Sequence, residues 1–230
     1  MARGVLWVSS RVVNGERLAD DKFCDWYENT HIQEALVLSG VPSAARYEAL
    51  KPQPDAKAYS NEAPWLNICP FPDIEFRNSD EFKSITASEE LVESIYKNVR
   101  FDIRFYKEVQ VFENEGVKKG PATFIISAAL EPPASPEAHK DFDAWYREEH
   151  VALLSRAPGF VRSRRYEFVE GTILDRFVPT AANAPRYLAL WEFQGDVLPV
   201  MGGLVKEEVG LYVLKREYPE SEWGSVGVEK

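Results

Sequence analysis

An aromatic-led stripe runs through residues 20–38. Phe23, Trp26, Tyr27, Thr30, His31 and Glu34 fall at i, i+3, i+4, i+7, i+8 and i+11, the spacing of one face of an α-helix. The stripe returns as Phe142, Trp145, Tyr146, Glu149, His150 and Leu153. Helices are therefore predicted over Asp20 to Leu38 and Pro136 to Arg156, with their aromatic faces toward a core. Ser135 and Pro136 form an N-cap and N1 pair, and Gly40 and Gly159 mark the ends. Short apolar runs rich in β-branched and aromatic residues predict strands at Val5 to Val12, Trp65 to Phe71, Phe101 to Phe112, Thr123 to Leu130, Tyr187 to Phe193 and Gly210 to Tyr218. Two further strands carry Arg46-Tyr47-Glu48 and Arg165-Tyr166-Glu167.

The two stripes belong to a duplication. Phe23 to Glu48 aligns without a gap on Phe142 to Glu167 at a constant offset of 119, with eight of 26 positions identical. Chance supplies roughly one or two, and a period this long is the size of a small domain rather than of a solenoid unit. Each copy reads strand, helix, strand, long connection, strand, helix, strand. The second helices are expected at Ser79 to Asn98 and Val197 to Glu208. The order βαββαβ twice predicts an α+β chain of two ferredoxin-like repeats, residues 1–113 and 121–218, followed by a C-terminal tail, 219–230. A four-stranded sheet of this kind has one face bare of helices. The two repeats are therefore expected to pack sheet to sheet as an intramolecular, pseudo-dimeric α+β barrel.

Composition narrows the partners. Of 230 residues, 27 are Lys or Arg and 37 Asp or Glu, a net charge of −10. Such a surface repels phosphate backbones and anionic lipid, so neither nucleic acid nor membrane is expected as a partner. The N-terminus lacks a secretory apolar stretch, and no uncharged run approaches the ~20 residues that span a bilayer. Cys24 and Cys69 are too few for a disulfide framework or a zinc site. A cytoplasmic protein is the expectation.

The candidate chemistry lies on the stripes. His31 and His150 each point inward one turn beyond a tyrosine, Tyr27 or Tyr146. Two readings stand side by side: a core histidine satisfied by its surroundings, and a general base in a pocket between helix and sheet, with the tyrosine hydroxyl holding a developing enolate oxygen. Trp26, Trp145, Tyr47, Tyr166, Trp65 and Trp191 are the candidate substrate-binding residues. Arg46 with Glu48, and Arg165 with Glu167, alternate onto one strand face and read as an ion-pair network where the sheets meet. Cys69 reads as a small buried apolar residue. One inward histidine per copy makes a metal site unexpected, and no phosphate loop, nucleophile elbow or dinucleotide fingerprint occurs, so no cofactor is expected. The connections Lys51 to Ala63 and Glu170 to Pro185 are long enough to fold over a cavity mouth.

The segments WYENTHIQEALVLSGVPSAARYE and WYREEHVALLSRAPGFVRSRRYE resemble the helix-to-strand signature of the EthD-like branch of the dimeric α+β barrel superfamily, W-Y-x-x-x-H followed by G-x-x-x-x-x-R-Y. The order of elements agrees over nearly the whole chain, in tandem. The resemblance implies a small hydrophobic cavity between sheet and helices. It spans isomerases, polyketide cyclases, cofactor-free monooxygenases and some haem proteins. In several of them a His or Tyr handles protons on phenolic, lactone or polyketide ligands. The first copy departs from the pattern in having Ser39-Gly40 where the second has Pro158-Gly159. If one copy works alone, the second is expected to be that one.

The expected function is a cofactor-independent lyase, isomerase or cyclase. Its substrate would be a small hydrophobic carbonyl or polyketide-derived aromatic compound, with His150 and His31 as bases and Tyr146 and Tyr27 as hydrogen-bond donors. The alternatives are a non-catalytic small-molecule carrier and an oxygenase or haem protein. Homo-oligomerisation is left open.

Overall fold

The computed structural model describes residues 1–53, 58–117, 120–132, 134–196 and 208–219. Strands β1 (Gly4–Val12), β2 (Ala44–Ala49), β3 (Trp65–Phe71) and β4 (Val99–Glu113) come from the first half. Strands β5 (Phe124–Leu130), β6 (Phe160–Asp175), β7 (Val178–Ala181), β8 (Tyr187–Phe193) and β9 (Glu208–Tyr218) come from the second. Helix α1 covers residues 20–36 and α5 covers residues 136–154. Between them lie three short helices, α2 (Tyr59–Glu62), α3 (Asp80–Lys83) and α4 (Glu89–Ser94).

The strands form one closed antiparallel barrel, not two stacked sheets. Their order is β4-β1-β3-β2-β9-β5-β8-β6, with β6 bonded back to β4 and β7 attached outside as a ninth strand. This corrects the expectation of two ferredoxin-like βαββαβ repeats packed as a pseudo-dimeric α+β barrel. The reason lies in strand length. At 15 and 16 residues, β4 and β6 run far past the seven-residue strands β3, β5 and β8, and they pair from Arg100↔Asp175 to Glu113↔Arg162. On the other side β2 pairs with β9, Ala44↔Tyr218 to Ala49↔Tyr212. Both sheet edges are thereby consumed. Helical content is also lower than expected. The helix predicted over Ser79 to Asn98 is broken into α3, α4 and a 3₁₀ turn at Tyr96–Asn98. Residues 197–207 of the other predicted helix lie outside the described residues, and Glu208 begins β9.

Each strand alternates between barrel interior and helix side. Val5, Trp7, Tyr47, Leu66, Ile68, Tyr106, Ile125, Tyr166, Leu188, Leu190 and Tyr212 fill the interior. The interior also holds charge. Arg104, almost wholly buried, donates to Asp102 at 2.9 and 2.5 Å and to Glu208 at 2.7 Å, beneath the Trp7 ring at 4.8 Å. Arg162 donates to Glu192 at 2.6 Å and to Glu113 at 3.2 Å. Two gaps inside the barrel, one beside Trp7 and Tyr59 and one beside Tyr47 and Tyr166, are about 10 Å³ each, the size of one water.

The arginine–glutamate pairs expected along the strands do not form. Arg46 lies 3.6 Å from Glu28 on α1, Arg165 bonds Asp143 on α5, and Glu167 takes Arg186. Both residues lie on the helix side of β2, opposite Asn67 and Trp65, but Arg46 is buried beneath α1 while Glu48 stays in solvent.

Removing one partner of a buried ion pair leaves the other charge uncompensated, so Arg104→Met is expected to cost about 3–5 kcal/mol in urea unfolding. Adding Asp102→Asn and Glu208→Gln should recover much of that loss. An undiminished deficit in the triple variant would show that the Arg104 side chain acts by packing alone.

Candidate functional site

Helix α1 is not uniform. Asp20–Trp26 is α-helical, Tyr27–His31 is one π turn, and Ile32–Leu36 is α-helical again. Helix α5 repeats this, with its π turn at Tyr146–His150 between Pro136–Trp145 and Val151–Leu154. A π turn takes an extra residue into the turn, and such turns cluster at functional positions. The consequence is visible in burial. The stripe expected at Thr30, His31 and Glu34 is replaced by His31, Ile32 and Ala35, and that at Glu149, His150 and Leu153 by His150, Val151 and Leu154. The inward face moves by one residue in both halves. Thr30, Glu34, Glu149 and Leu153 are exposed, while each histidine keeps its place beside its tyrosine.

In the first half this face borders a cavity of about 440 Å³. Tyr27, His31, Ile32 and Ala35 form one wall, and Leu6, Val8, Asn67, Cys69, Phe101, Ile103 and Phe105 of the sheet form the other. Phe82, Lys83, Ile85 and Tyr96 close one side. Thr172 and Leu174, from the extension of β6, complete the lining. The long connection expected from Glu170 to Pro185 thus does cover a cavity mouth, as a β6–β7 hairpin over the other half's cavity. It is held there by Arg77–Glu170 at 2.9 Å, by Arg100–Asp175 at 3.0 Å and by Phe177 against Tyr96. The earlier connection does something else: Tyr59 of α2 reaches Ser9 at 3.1 Å and Asp102 at 3.3 Å at the barrel end.

Tyr27 is buried, and among the described residues nothing hydrogen-bonds its hydroxyl. Burial pushes its pKa up, against the pull of the Arg46 guanidinium 4.4 Å from its ring centroid. His31 stacks on Trp26 at 5.0 Å and lies 5.1 Å from Tyr27. Its nearest carboxylate is Glu34, 3.9 Å from Nδ1. Burial, and then the charge of Arg46, lower its pKa to about 4, so the imidazole is neutral at ordinary pH. Cys69 is buried, with its thiol raised to about 12, which makes it a wall rather than a nucleophile.

The second half arranges the same residues differently. Trp191 donates from its indole nitrogen to the Tyr146 hydroxyl at 2.7 Å. His150 is packed against Trp145, Tyr146 and Trp191 at 4.3, 5.1 and 5.3 Å. The strand register identifies the cause. Arg46 stands opposite Asn67 on β3, and its repeat Arg165 stands opposite Ala189 on β8. Two residues on, Cys69 therefore occupies the place of Trp191. A small side chain in one half leaves room where an indole in the other fills it.

Of the expected substrate-binding residues, Tyr47 and Tyr166 point into the barrel, away from the cavity. Trp65 packs on Phe23 at 5.2 Å in the core, and Trp26 backs His31. Trp191 serves Tyr146, and Trp145 is 42% exposed. Asn67, Tyr96, Thr172 and Leu174 carried no helical or motif signal. Only the alternation along β3 offered a hint, for Asn67 and Cys69 lie two apart on the face that meets the helix. Among the described residues no group of three His, Cys, Asp or Glu side chains is placed to hold a metal ion. Among the same residues no helix is long and apolar enough to cross a membrane.

Cys69→Trp, which copies the second half, is expected to fill the cavity and give Tyr27 a donor. Binding of apolar aromatic probes measured by calorimetry should be lost while the thermal midpoint is kept or raised. Unchanged binding would show that the probes enter elsewhere. Below pH 6.5 the unfolded chain protonates His31 while the folded one does not until about pH 4. Stability should therefore fall as pH drops across that window. His31→Gln should flatten the slope by on the order of 1–2 kcal/mol in pH-dependent urea unfolding, allowing for the quarter of the side chain that water reaches.

No protein-family model matches the chain, and no curated protein matches it. Solved structures do. An anthrone oxidase-like protein aligns with a TM-score of 0.55 and 11% identity, over 98% of this chain and 97% of that one. A proposed monooxygenase from Lactobacillus acidophilus aligns with a TM-score of 0.53 and 10% identity over the full length of both. A second, from Fusobacterium nucleatum, aligns with a TM-score of 0.50 and 13% identity over 85% and 77%. At such identities what this chain shares with these structures is the fold.

Proposed function

We propose that the chain is a small-molecule enzyme that removes a proton from a hydrophobic, enolisable carbonyl compound in the first-half cavity. One observation carries this reading. A neutral imidazole, His31, and a tyrosine hydroxyl without a hydrogen bond among the described residues, Tyr27, adjoin in the wall of a largely apolar cavity large enough for a ring compound. In the proposed step a C–H bond alpha to the carbonyl breaks and its proton passes to a ring nitrogen of His31. The electron pair moves onto the carbonyl oxygen, where the Tyr27 hydroxyl donates to the growing negative charge. The imidazolium that forms is stabilised by the enolate beside it, which offsets the low basicity of the resting ring. The enolate then eliminates, cyclises or is reprotonated at another carbon, the lyase, cyclase or isomerase outcome.

A second reading shares this first step. The structural neighbours include an anthrone oxidase-like protein and two proposed monooxygenases. Their names favour an enolate that meets dioxygen instead. His150 and Tyr146 are retained as a secondary proposal for the other half.

The test is exchange of the alpha protons of 2-tetralone in deuterated buffer, followed by NMR. The chain should accelerate exchange, His31→Gln should lower the rate 10²- to 10⁴-fold, and Tyr27→Phe should lower it less. The wild-type rate should be flat above pH 6 and fall as the solution approaches pH 4, where His31 takes up a proton. Full exchange activity in His31→Gln overturns the assignment. Tight binding with no exchange by the wild type identifies a carrier. Oxygen uptake with anthrone separates the second reading from the first.

A further inference from the structure

We propose that Asn67 is a specificity-determining residue of the first-half cavity and that it selects ligands bearing a hydrogen-bond donor, a ring hydroxyl or N–H, on the edge that meets β3. The inference rests on the reading of this cavity as a ligand site and goes beyond it in naming what the ligand must carry.

Asn67 lies at the middle of β3 on the helix side, opposite Val8 of β1 and Arg46 of β2. It is 4% exposed and lines the cavity. Its Nδ2 donates to Cys69 Sγ at 3.2 Å, so the donor end of the amide is engaged. Its Oδ1 is buried and has no hydrogen-bond partner among the described residues. A buried acceptor left unpaired costs about 1–3 kcal/mol, a cost that a ligand hydroxyl placed against it would remove. The same arrangement penalises a ligand that presents an ether or carbonyl oxygen there, because two acceptors would then face each other in an apolar wall.

The other half supplies the contrast. Ala189 stands in the corresponding place, opposite Arg165, and carries no acceptor. The chain therefore tolerates a plain methyl side chain at this register position of an otherwise similar strand, and the amide is not a requirement of barrel closure. Tyr27 and His31 lie across the cavity on α1, Asn67 on the sheet. A ligand bridging them needs polar atoms on two edges: an oxygen for the Tyr27 hydroxyl, and a donor for Asn67. Hydroxylated aromatic ketones meet both conditions, and unsubstituted ones meet the first alone.

The experiment compares 2-naphthol with 2-methoxynaphthalene by isothermal titration calorimetry, using the wild type, Asn67→Ala and Asn67→Leu. Alanine copies the second half, and leucine keeps the volume. Wild type should prefer 2-naphthol roughly tenfold, the effect of one buried hydrogen bond, and both variants should bind the two compounds equally. A preference that survives in both variants overturns the assignment, as does a reversed preference in the wild type. So does a preference that vanishes in His31→Leu while Asn67→Ala retains it, which would place the acceptor at His31. If neither compound binds the wild type, the ligand-site reading falls and Asn67 falls with it. If 2-methoxynaphthalene binds equally to all three proteins and only the naphthol preference fails to appear, the cavity stands and the role of Asn67 alone is overturned.

Discussion

The long antiparallel pairing of β4 with β6 is the constraint on which the rest depends. It joins the last strand of one half to the second strand of the other and, together with β2–β9, removes every free edge from the eight-stranded sheet. Closure determines which faces exist. The inner face has nowhere to meet solvent, so it is filled by aromatic and aliphatic side chains, and charged residues on it are grouped, as in Asp102–Arg104–Glu208. The outer face is what α1 and α5 cover. Because β6 continues past the barrel alongside β4, it delivers Thr172 and Leu174 to a cavity whose other walls all come from the first half. Neither half makes that cavity alone.

Within this frame the two halves have diverged through few side chains. Both place a π turn at the Trp-Tyr-x-x-x-His segment, both set an arginine under the tyrosine ring (Arg46 at 4.4 Å, Arg165 at 4.8 Å), and both stack the histidine on the preceding tryptophan. What differs is the strand beneath. Cys69 and Asn67 leave space and an unpaired acceptor; Trp191 and Ala189 provide an indole that bonds Tyr146 and no acceptor at all. A duplicated scaffold holds one set of polar residues against an opening and the other against a packed ring.

The electrostatics follow the same geometry. Arg46 is wholly buried, 3.6 Å from Glu28, and its charge acts on both Tyr27 and His31. For the tyrosine it opposes the effect of burial, since a cation favours the phenolate. For the histidine it adds to burial, since both disfavour the imidazolium. One cation thus adds to burial in keeping the base deprotonated while leaving the neighbouring hydroxyl a better donor than burial alone would.

By itself the sequence determined the two aromatic helices, eight of the strands and the repetition, though not the break in the helix expected over Ser79 to Asn98, nor β7. Aromatic periodicity located α1 and α5 and set Tyr27, His31, Tyr146 and His150 on their inward sides, because local spacing on a helix is enough to decide a face. Ser135 caps α5 through the Ala138 amide as expected; Gly159, expected at the helix end, instead adopts a left-handed backbone just before β6, five residues past Leu154, where a Cβ would strike the Gln194 carbonyl. The tertiary structure alone decided the rest. The one-residue phase change at each π turn depends on packing that no periodicity encodes, and it removed Thr30, Glu34, Glu149 and Leu153 from the expected face. Closure of the barrel depends on pairing between distant residues, from Glu113 with Arg162, 49 positions apart, to Arg100 with Asp175, 75 apart, and a strand's length does not name its partner. The cavity depends on both. A void is set by which side chains meet across strands, and only the cross-strand register shows that Cys69 in one half stands where Trp191 stands in the other.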